Sequence, residues 1–292
     1  MTISEPLSLK NKASNIGFIF FGLIGILPFV AAFVYALLYS FGLVGAANSG
    51  FTTEFWISTW QSGAFIKSLV YSTVVAGTSI FISVSIALWL TLKFRKELEH
   101  PILAFAMYLP LAIPGIVAAF FTFQLLAKAG FFSRIAYAFG WITEARQFPD
   151  LVNDPYAIGI IATFISIVTP FLLLLFLNVY KNERVDELAQ LSQSLGANKQ
   201  QTVWRVSLPV VLNKTWTLIG LYFIFLLGAY EVPLILGQES PQMLSVLIIR
   251  EIKQYDLSRL SEGYVVAVIY TVIVTTAAVL LFSRKNDVKH EG

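Results

Sequence analysis

Residues 186–209 of the chain read DELAQLSQSLGANKQQTVWRVSLP, a polar stretch that separates two long apolar segments, residues 157–180 and 212–236. Each apolar segment exceeds the roughly 20 residues that a helix needs to cross a bilayer core of about 30 Å. Only helices and closed barrels cross that core, because lipid offers the backbone no hydrogen-bond partners. A polar loop between two membrane helices is therefore the arrangement that decides the fold.

The composition supports the same interpretation for the whole chain. Hydrophobic residues make up 57% and charged residues only 13%, about half the charged fraction of a soluble domain. Six apolar segments are long enough to span a membrane: residues 16–43, 66–92, 101–127, 157–180, 212–236 and 264–282. No internal repeat or linker divides them. The sequence predicts an all-α, polytopic membrane protein with six transmembrane helices in a single domain over residues 1–292.

The distribution of Lys and Arg predicts the orientation in the membrane. Thirteen of the 20 basic residues fall in the two tails and in the loops after the second and fourth segments: Lys10, Lys12, Lys93, Arg95, Lys96, Lys181, Arg184, Lys199, Arg205, Lys214, Arg284, Lys285 and Lys289. Cytoplasmic loops are enriched in such residues. We therefore expect both termini and the polar loop, residues 186–209, in the cytoplasm, and a first segment that is retained and not removed as a signal peptide.

The first half of the polar loop has the pattern of a short amphipathic helix. Leu188, Leu191 and Leu195 recur at spacings of three and four, which places them on one face. A polar loop of this kind is most simply a docking element for another chain. The alternative is an amphipathic connector that lies on the lipid headgroups without a partner.

The second half of the polar loop contains residues typical of helix ends. Gly196 is expected to end the first helix in a positive-φ conformation. Asn198 is expected to cap a second helix, with Gln201 reaching back to it. Pro209 disfavours helical geometry at Leu208, so a joint is expected there.

Several function classes are excluded by what the sequence lacks. It has no phosphate-binding GxxxxGK[ST] loop, so ATP must bind elsewhere. Without cysteine there is no thiol catalysis or zinc–thiolate site. His100 and His290 lie in a cytoplasmic turn and in the tail, where neither metal binding nor acid–base catalysis is expected. The scattered basic residues do not predict nucleic-acid binding. We expect no catalytic residues, no metal ligands and no enzyme activity on this chain.

Three polar residues within apolar segments are candidates for lining a solute path. Ionisable groups in a membrane are costly, and Glu231 is the clearest example. It could attract a cationic solute, or it could be wet, or it could pair with Lys67 or with another helix. Gln124 and Tyr230 could face the same path, but helix packing is an equal or better explanation for each.

The polar loop resembles the EAA loop of binding-protein-dependent ABC transporter permeases. That family has Glu-Ala-Ala, three residues, Gly, nine residues, an aliphatic residue, one residue and Leu-Pro. Here Gly196 and the VSLP of residues 206–209 stand at the family spacing. QLS at residues 190–192 stands where Glu-Ala-Ala is expected. The resemblance implies that an ATPase is contacted by Glu187, Gln190, Leu191, Ser192, Gly196, Ala197, Leu208 and Pro209.

The resemblance extends over residues 66–282, which it implies are the core permease domain, with residues 16–43 as an extra first helix. LPLAIPGIVAA at residues 109–119 is similar to a stretch common in these permeases, and FLLGAYEVPLILG at residues 225–237 is similar to the spermidine/putrescine-type branch.

These matches imply a type I importer in a bacterial inner membrane that works by alternating access. Its partners would be an ATPase dimer holding ATP and Mg²⁺, a second, homologous or identical permease, and an extracytoplasmic solute-binding protein. The fifth-segment similarity favours a polyamine as the solute, while ferric ion, thiamine, phosphonate and sugars stay open. A stand-alone secondary transporter is the alternative class, and a single membrane carboxylate argues against it.

Overall fold

The computed structural model describes residues 20–45 and 50–290, and all regular structure within those ranges is helical. The α-helices are α1 Leu27–Ser40, α2 Glu54–Gln61, α3 Ala64–Leu98, α4 Pro101–Tyr108, α5 Gly115–Leu126, α6 Phe131–Ala138, α7 Ile158–Asn182, α8 Val185–Ser194, α9 Lys199–Thr202, α10 Leu208–Leu227, α11 Glu231–Leu236, α12 Leu244–Ile252 and α13 Leu257–His290. Short 3₁₀ helices cover Pro110–Ala112 and Ala145–Gln147, and π-helical turns cover Gly22–Ile26 and Val203–Ser207. The predicted all-α fold is confirmed.

Among the described residues, six helices are long and apolar enough to cross a membrane: Gly22–Ser40, Ala64–Leu98, Gly115–Ala138, Ile158–Asn182, Lys199–Leu227 and Ser258–Ser283. They follow the order of the six predicted segments, so the prediction of six spans is confirmed. Residues 16–19 of the first predicted segment lie outside the described part of the chain.

The third predicted segment, residues 101–127, is not one helix. It consists of α4, the 3₁₀ turn Pro110–Ala112 and α5. Prolines remove backbone donors and push the preceding residue out of helical geometry. Ile113, directly before Pro114, accordingly has an extended conformation with φ −87° and ψ 121°. The break was not predicted because the residues around it are as apolar as the two helices that it separates.

The bounds of the fifth membrane helix differ from the predicted segment, residues 212–236. Its helix is continuous from Lys199 to Leu227, and a separate helix, α11, begins at Glu231. The predicted joint at Leu208 is wrong, since Leu208 has helical φ −63° and ψ −50°. Its N–H donates to the Val203 carbonyl in the wider π-helical pattern. Pro209 then falls in the first turn of α10, where a missing donor is tolerated.

The described residues form two compact units. The second unit comprises Ala64–Leu247 and the described residues from Val274 onward. At its centre α7 packs against α3, α5 and α10. Small polar side chains line the buried face of α3, namely Ser68, Ser72, Ser79, Ser83 and Thr91. Small residues of this kind let membrane helices approach closely.

The first unit comprises the described residues up to Gly63 and Ile248–Ile273. Here Tyr39 stacks on Tyr264 with ring centroids 4.4 Å apart, and Ser58 donates a 2.6 Å hydrogen bond to Glu262. Gly263 lies so close to α12 that a Cβ would meet Ile252 Cγ1 at 2.9 Å. The prediction of a single domain over residues 1–292 stays a prediction.

Candidate functional site

The polar loop, residues 186–209, folds as two helices joined by a tight turn. Gly196 follows α8 with φ +96°. Its N–H donates to Gln193 O at 3.0 Å, and the Ala197 N–H donates to Ser192 O at 3.1 Å. This pair of bonds is the Schellman arrangement, which satisfies the last carbonyls of a helix. The predicted role of Gly196 as a helix terminator is confirmed.

A capping box starts the second helix of the polar loop. The Gln201 N–H donates to Asn198 Oδ1 at 2.8 Å, and the Asn198 N–H donates to Gln201 Oε1 at 3.0 Å. Both bonds satisfy donors that a helix start otherwise leaves unpaired. This prediction is also confirmed, and it means that the turn between α8 and α9 is defined on both sides.

The apolar stripe of α8 faces away from the rest of the chain. Leu191 is 59% exposed and Leu195 is 82% exposed. Leu188, at 39%, extends the same face. Soluble surfaces rarely leave large apolar side chains grouped in this way without a partner.

Charged and aromatic side chains hold the polar loop against the transmembrane helices. Arg95, near the end of α3, forms an ion pair with Asp186. Its guanidinium also lies 4.9 Å from the centroid of the Tyr180 ring, whose hydroxyl donates to Asp186 Oδ1 at 3.3 Å. Just before the loop, Glu183 at the end of α7 pairs with Lys214 of α10 at 3.1 Å. Asp186 of α8 is therefore joined directly to α3 through Arg95 and to α7 through Tyr180.

The polar side chains predicted to contact an ATPase have different surroundings. Ser192 lies inside the loop, where its hydroxyl is 2.9 Å from the hydroxyl of buried Thr202. Glu187 lies 3.7 Å from Arg184 on the surface, and Gln190 is exposed. The structure therefore brings Gln190 and Leu191 to the outside of α8 and places Ser192 as an internal tie between α8 and α9.

A second feature lies where two transmembrane segments are interrupted. Helix α5 begins at Gly115, directly after Pro114, and α11 begins at Glu231 after a break at residues 228–230. The two helices pack together. At their contact, the Ile116 N–H donates to Glu231 Oε2 at 3.0 Å.

Glu231 thus binds the amino end of another helix, one of the alternatives left open by the sequence. The described residues contain no ion pair between Glu231 and Lys67. The partial positive charge at the start of α5 favours a carboxylate there. Gly115 permits the contact, because a Cβ at this position would stand 3.2 Å from Glu231 Oε2.

Neither of the other two path candidates, Tyr230 and Gln124, takes part in the contact between Glu231 and Ile116. Tyr230 is half-buried at the start of α11, and its carbonyl accepts the Leu234 N–H at 3.0 Å. Gln124 is exposed near the far end of α5, where it lines a pocket of about 320 Å³ together with Arg134. The structure therefore does not bring Gln124, Tyr230 and Glu231 into one site.

Sequence reasoning missed several residues that organise these features. Ile116 is 115 positions away from its partner Glu231, and it contributes only a backbone N–H. The sequence marks Arg95 only as an indicator of membrane orientation, although its ion pair with Asp186 joins α3 to the polar loop. Nothing in the spacing along one sequence points to either pairing.

Known proteins with similar sequences match most of the length of this chain. A sequence profile of the binding-protein-dependent transport system inner membrane component matches residues 79–285. The sulfate transport system permease protein CysT of Synechocystis sp. is 26% identical over 269 residues, which cover 88% of each chain.

Two solved bacterial structures have a similar fold. One is an alginate ABC transporter in complex with an alginate pentasaccharide-bound periplasmic protein, with a TM-score of 0.69 at 16% identity over 94% of this chain and 92% of that chain. The other is an ABC transporter involved in the import of the acidic polysaccharide alginate, with a TM-score of 0.64 at 17% identity over 94% and 99% of the two chains.

Proposed function

The chain belongs to the family of binding-protein-dependent transport system inner membrane components, and on that premise we propose that it is one permease subunit of a type I, ATP-driven importer. Two permeases, this chain and a homologous or identical second one, enclose the solute path. A separate ATPase dimer holds ATP and Mg²⁺, and a solute-binding protein delivers the solute from outside. The chain itself has a transport role and no enzymatic one.

The observation that supports this function best is the exposed apolar stripe of α8 on a firmly held loop. Leu191 and Leu195 are available for burial in a cleft of another protein. The contacts of Asp186 with Arg95 and Tyr180 would transmit a movement of that protein to α3 and α7. Nucleotide-driven closure of the ATPase can then bias the permeases between inward-facing and outward-facing arrangements.

The experiment that tests this function is copurification of the chain with its ATPase from bacterial membranes. Burying a leucine contributes about 1.5–3 kcal/mol. Leu195→Asp is therefore expected to weaken ATPase binding by roughly tenfold or more, while Gln193→Asp, on the same helix but off the stripe, retains it. If Leu195→Asp leaves ATPase binding unchanged and alters only labelling from the lipid phase, α8 is a headgroup-bound connector instead.

The solute is proposed to be a small hydrophilic molecule, and two chemical classes can be compared. A sulfate-type oxyanion is supported by the 26% identity with the sulfate permease over most of both chains. A polyamine is supported by the sequence similarity at residues 225–237 and by the charge of Glu231, although that carboxylate already accepts the Ile116 N–H. Uptake of radiolabelled sulfate and of spermidine by the same reconstituted complex separates the two.

We further propose a bacterial inner-membrane location with both termini and the polar loop in the cytoplasm, as the bias of basic residues indicates. Reporter fusions after Glu99 and Asn198 are expected to report the cytoplasm. Fusions after Glu54, Asp150 and Gln254 are expected to report the outside. A single loop on the opposite side overturns the six-span topology, because the spans alternate in direction.

A further inference from the structure

The pocket between the end of α5 and the start of α6 is lined by a positively charged side chain, Arg134, that has no role in the proposed function. It is lined by Gln124, Arg134 and the apolar side chains Phe121, Leu125 and Phe131, with Gly130 at its base. Its volume of about 320 Å³ is near the lower end of the range for small-ligand pockets. A polar end and an apolar wall are therefore present in one small cavity.

The backbone fixes the position of Arg134 in this pocket. The Gly130 N–H donates to Ala127 O at 2.7 Å, which closes the turn that follows α5. No side chain fits at Gly130, since a Cβ would meet the Gln124 carbonyl oxygen at 2.7 Å. The exposed side chain of Arg134 donates from Nε to Ala129 O at 3.2 Å, and it lines the same pocket as Gln124.

The charge of Arg134 is not balanced by a neighbouring acid. Within the part of the chain that the structure describes, Arg134 takes part in no ion pair. Asp150 in the segment after α6 is engaged by Lys128 at 2.7 Å. The Nε bond uses one of the five N–H donors of the guanidinium. The remaining fork of donors has the geometry that binds carboxylate, sulfate or phosphate oxygens in pairs.

We propose that Arg134 and Gln124 form a binding site for an oxyanion. The guanidinium provides charge and paired donors, and the Gln124 amide provides a further donor. Two sources share this chemistry, a free tetrahedral anion such as sulfate and the phosphate of a phospholipid. The second is compatible with an apolar cavity of about 450 Å³ that shares Phe121 and Leu125 with the pocket and continues along α5 toward Pro110. This proposal does not depend on which solute the chain imports.

Two binding measurements on the purified full-length chain test this site. One is equilibrium binding of radiolabelled sulfate in detergent, and the other is retention of phosphatidylglycerol detected by native mass spectrometry. Arg134→Gln is expected to lower the affinity for the bound probe by at least about tenfold, because charge-assisted hydrogen bonds are lost. Arg134→Lys keeps the charge without the fork and is expected to give a smaller loss.

Arg146→Gln is the matched control, since Arg146 also lies in the segment between α5 and α7 but pairs with Glu144. It is expected to bind both probes as the unmodified chain does. Sulfate binding that depends on Arg134 assigns the site to a free anion, and lipid retention that depends on Arg134 assigns it to the membrane. If neither probe depends on Arg134, the site is refuted. A complex that still imports its solute in that case overturns this inference alone and leaves the proposed function standing.

Discussion

Gly196→Val is expected to reduce ATP-coupled solute uptake by at least about fivefold while the protein still inserts into the membrane. Gly196 has φ +96°, a conformation that a β-branched residue adopts only with strain of roughly 1–3 kcal/mol. Strain of that size shifts a conformational equilibrium by about 5- to 150-fold. Nothing lies within 4 Å of a Cβ at this position, so the effect comes from the backbone and not from a collision.

A matched control for this change exists in the same chain. Gly140 ends α6 with φ +71° and equally open space around it. The Trp141 N–H donates to Ala136 O at 2.9 Å, as in the turn after α8. Gly140→Val therefore has the same local cost at a site remote from the polar loop, and we expect uptake to persist. Gly196→Asn, which tolerates positive φ, is expected to retain most activity. Normal uptake and normal ATP hydrolysis in Gly196→Val would refute the coupling role of α8.

Glu231→Ala is expected to destabilise the protein and to leave the selectivity of any residual transport unchanged. The substitution removes the acceptor of the Ile116 N–H at the start of α5. The contact is exposed, so the loss is expected to stay below the roughly 1–3 kcal/mol that a buried donor without a partner costs. Glu231→Gln keeps an oxygen acceptor without the charge, so a smaller loss of thermal stability is expected.

The neighbouring glycine separates a structural role of Glu231 from a role in the solute path. Gly115→Ala places a Cβ 3.2 Å from Glu231 Oε2, so the carboxylate must shift by a few tenths of an ångström and the hydrogen bond is expected to weaken. If the contact is structural, the effects of Gly115→Ala and Glu231→Ala on thermal stability combine less than additively. A Glu231→Gln variant with wild-type stability that selectively loses uptake of a cation contradicts this assignment and restores the path role.

Local signals in the polar loop were readable because each acts over a few residues. Asn198 and Gln201 are three positions apart and meet as the capping-box pattern requires. Gly196 stands where α8 must end. The same kind of local rule failed at Leu208, because the π-helical turn before it places Pro209 where a proline is tolerated. A rule for single residues does not include the hydrogen-bond pattern of the preceding turn.

The features that depend on tertiary packing could not be predicted from the sequence. The contact of Glu231 with Ile116 joins a side chain to a backbone group 115 positions away. The polarity of Gln124 inside an apolar segment is visible in the sequence, but Arg134, which lines the same pocket, belongs to a separate helix beyond the turn at Gly130. Hydrophobicity located the membrane segments, and it did not show that two of them are interrupted.

The continuous span from Lys199 to Leu227, which includes the π-helical turn Val203–Ser207, has a mechanical consequence. Its 29 residues correspond to a rod of about 43 Å at 1.5 Å per residue. One end belongs to the polar loop, and the other stops at the break that precedes Glu231. Such a rod acts as a lever, since a tilt of about 5° at the loop end moves the far end by about 4 Å. A small angular change at the surface is thereby enlarged to the width of a water molecule or more at the interruption between α10 and α11.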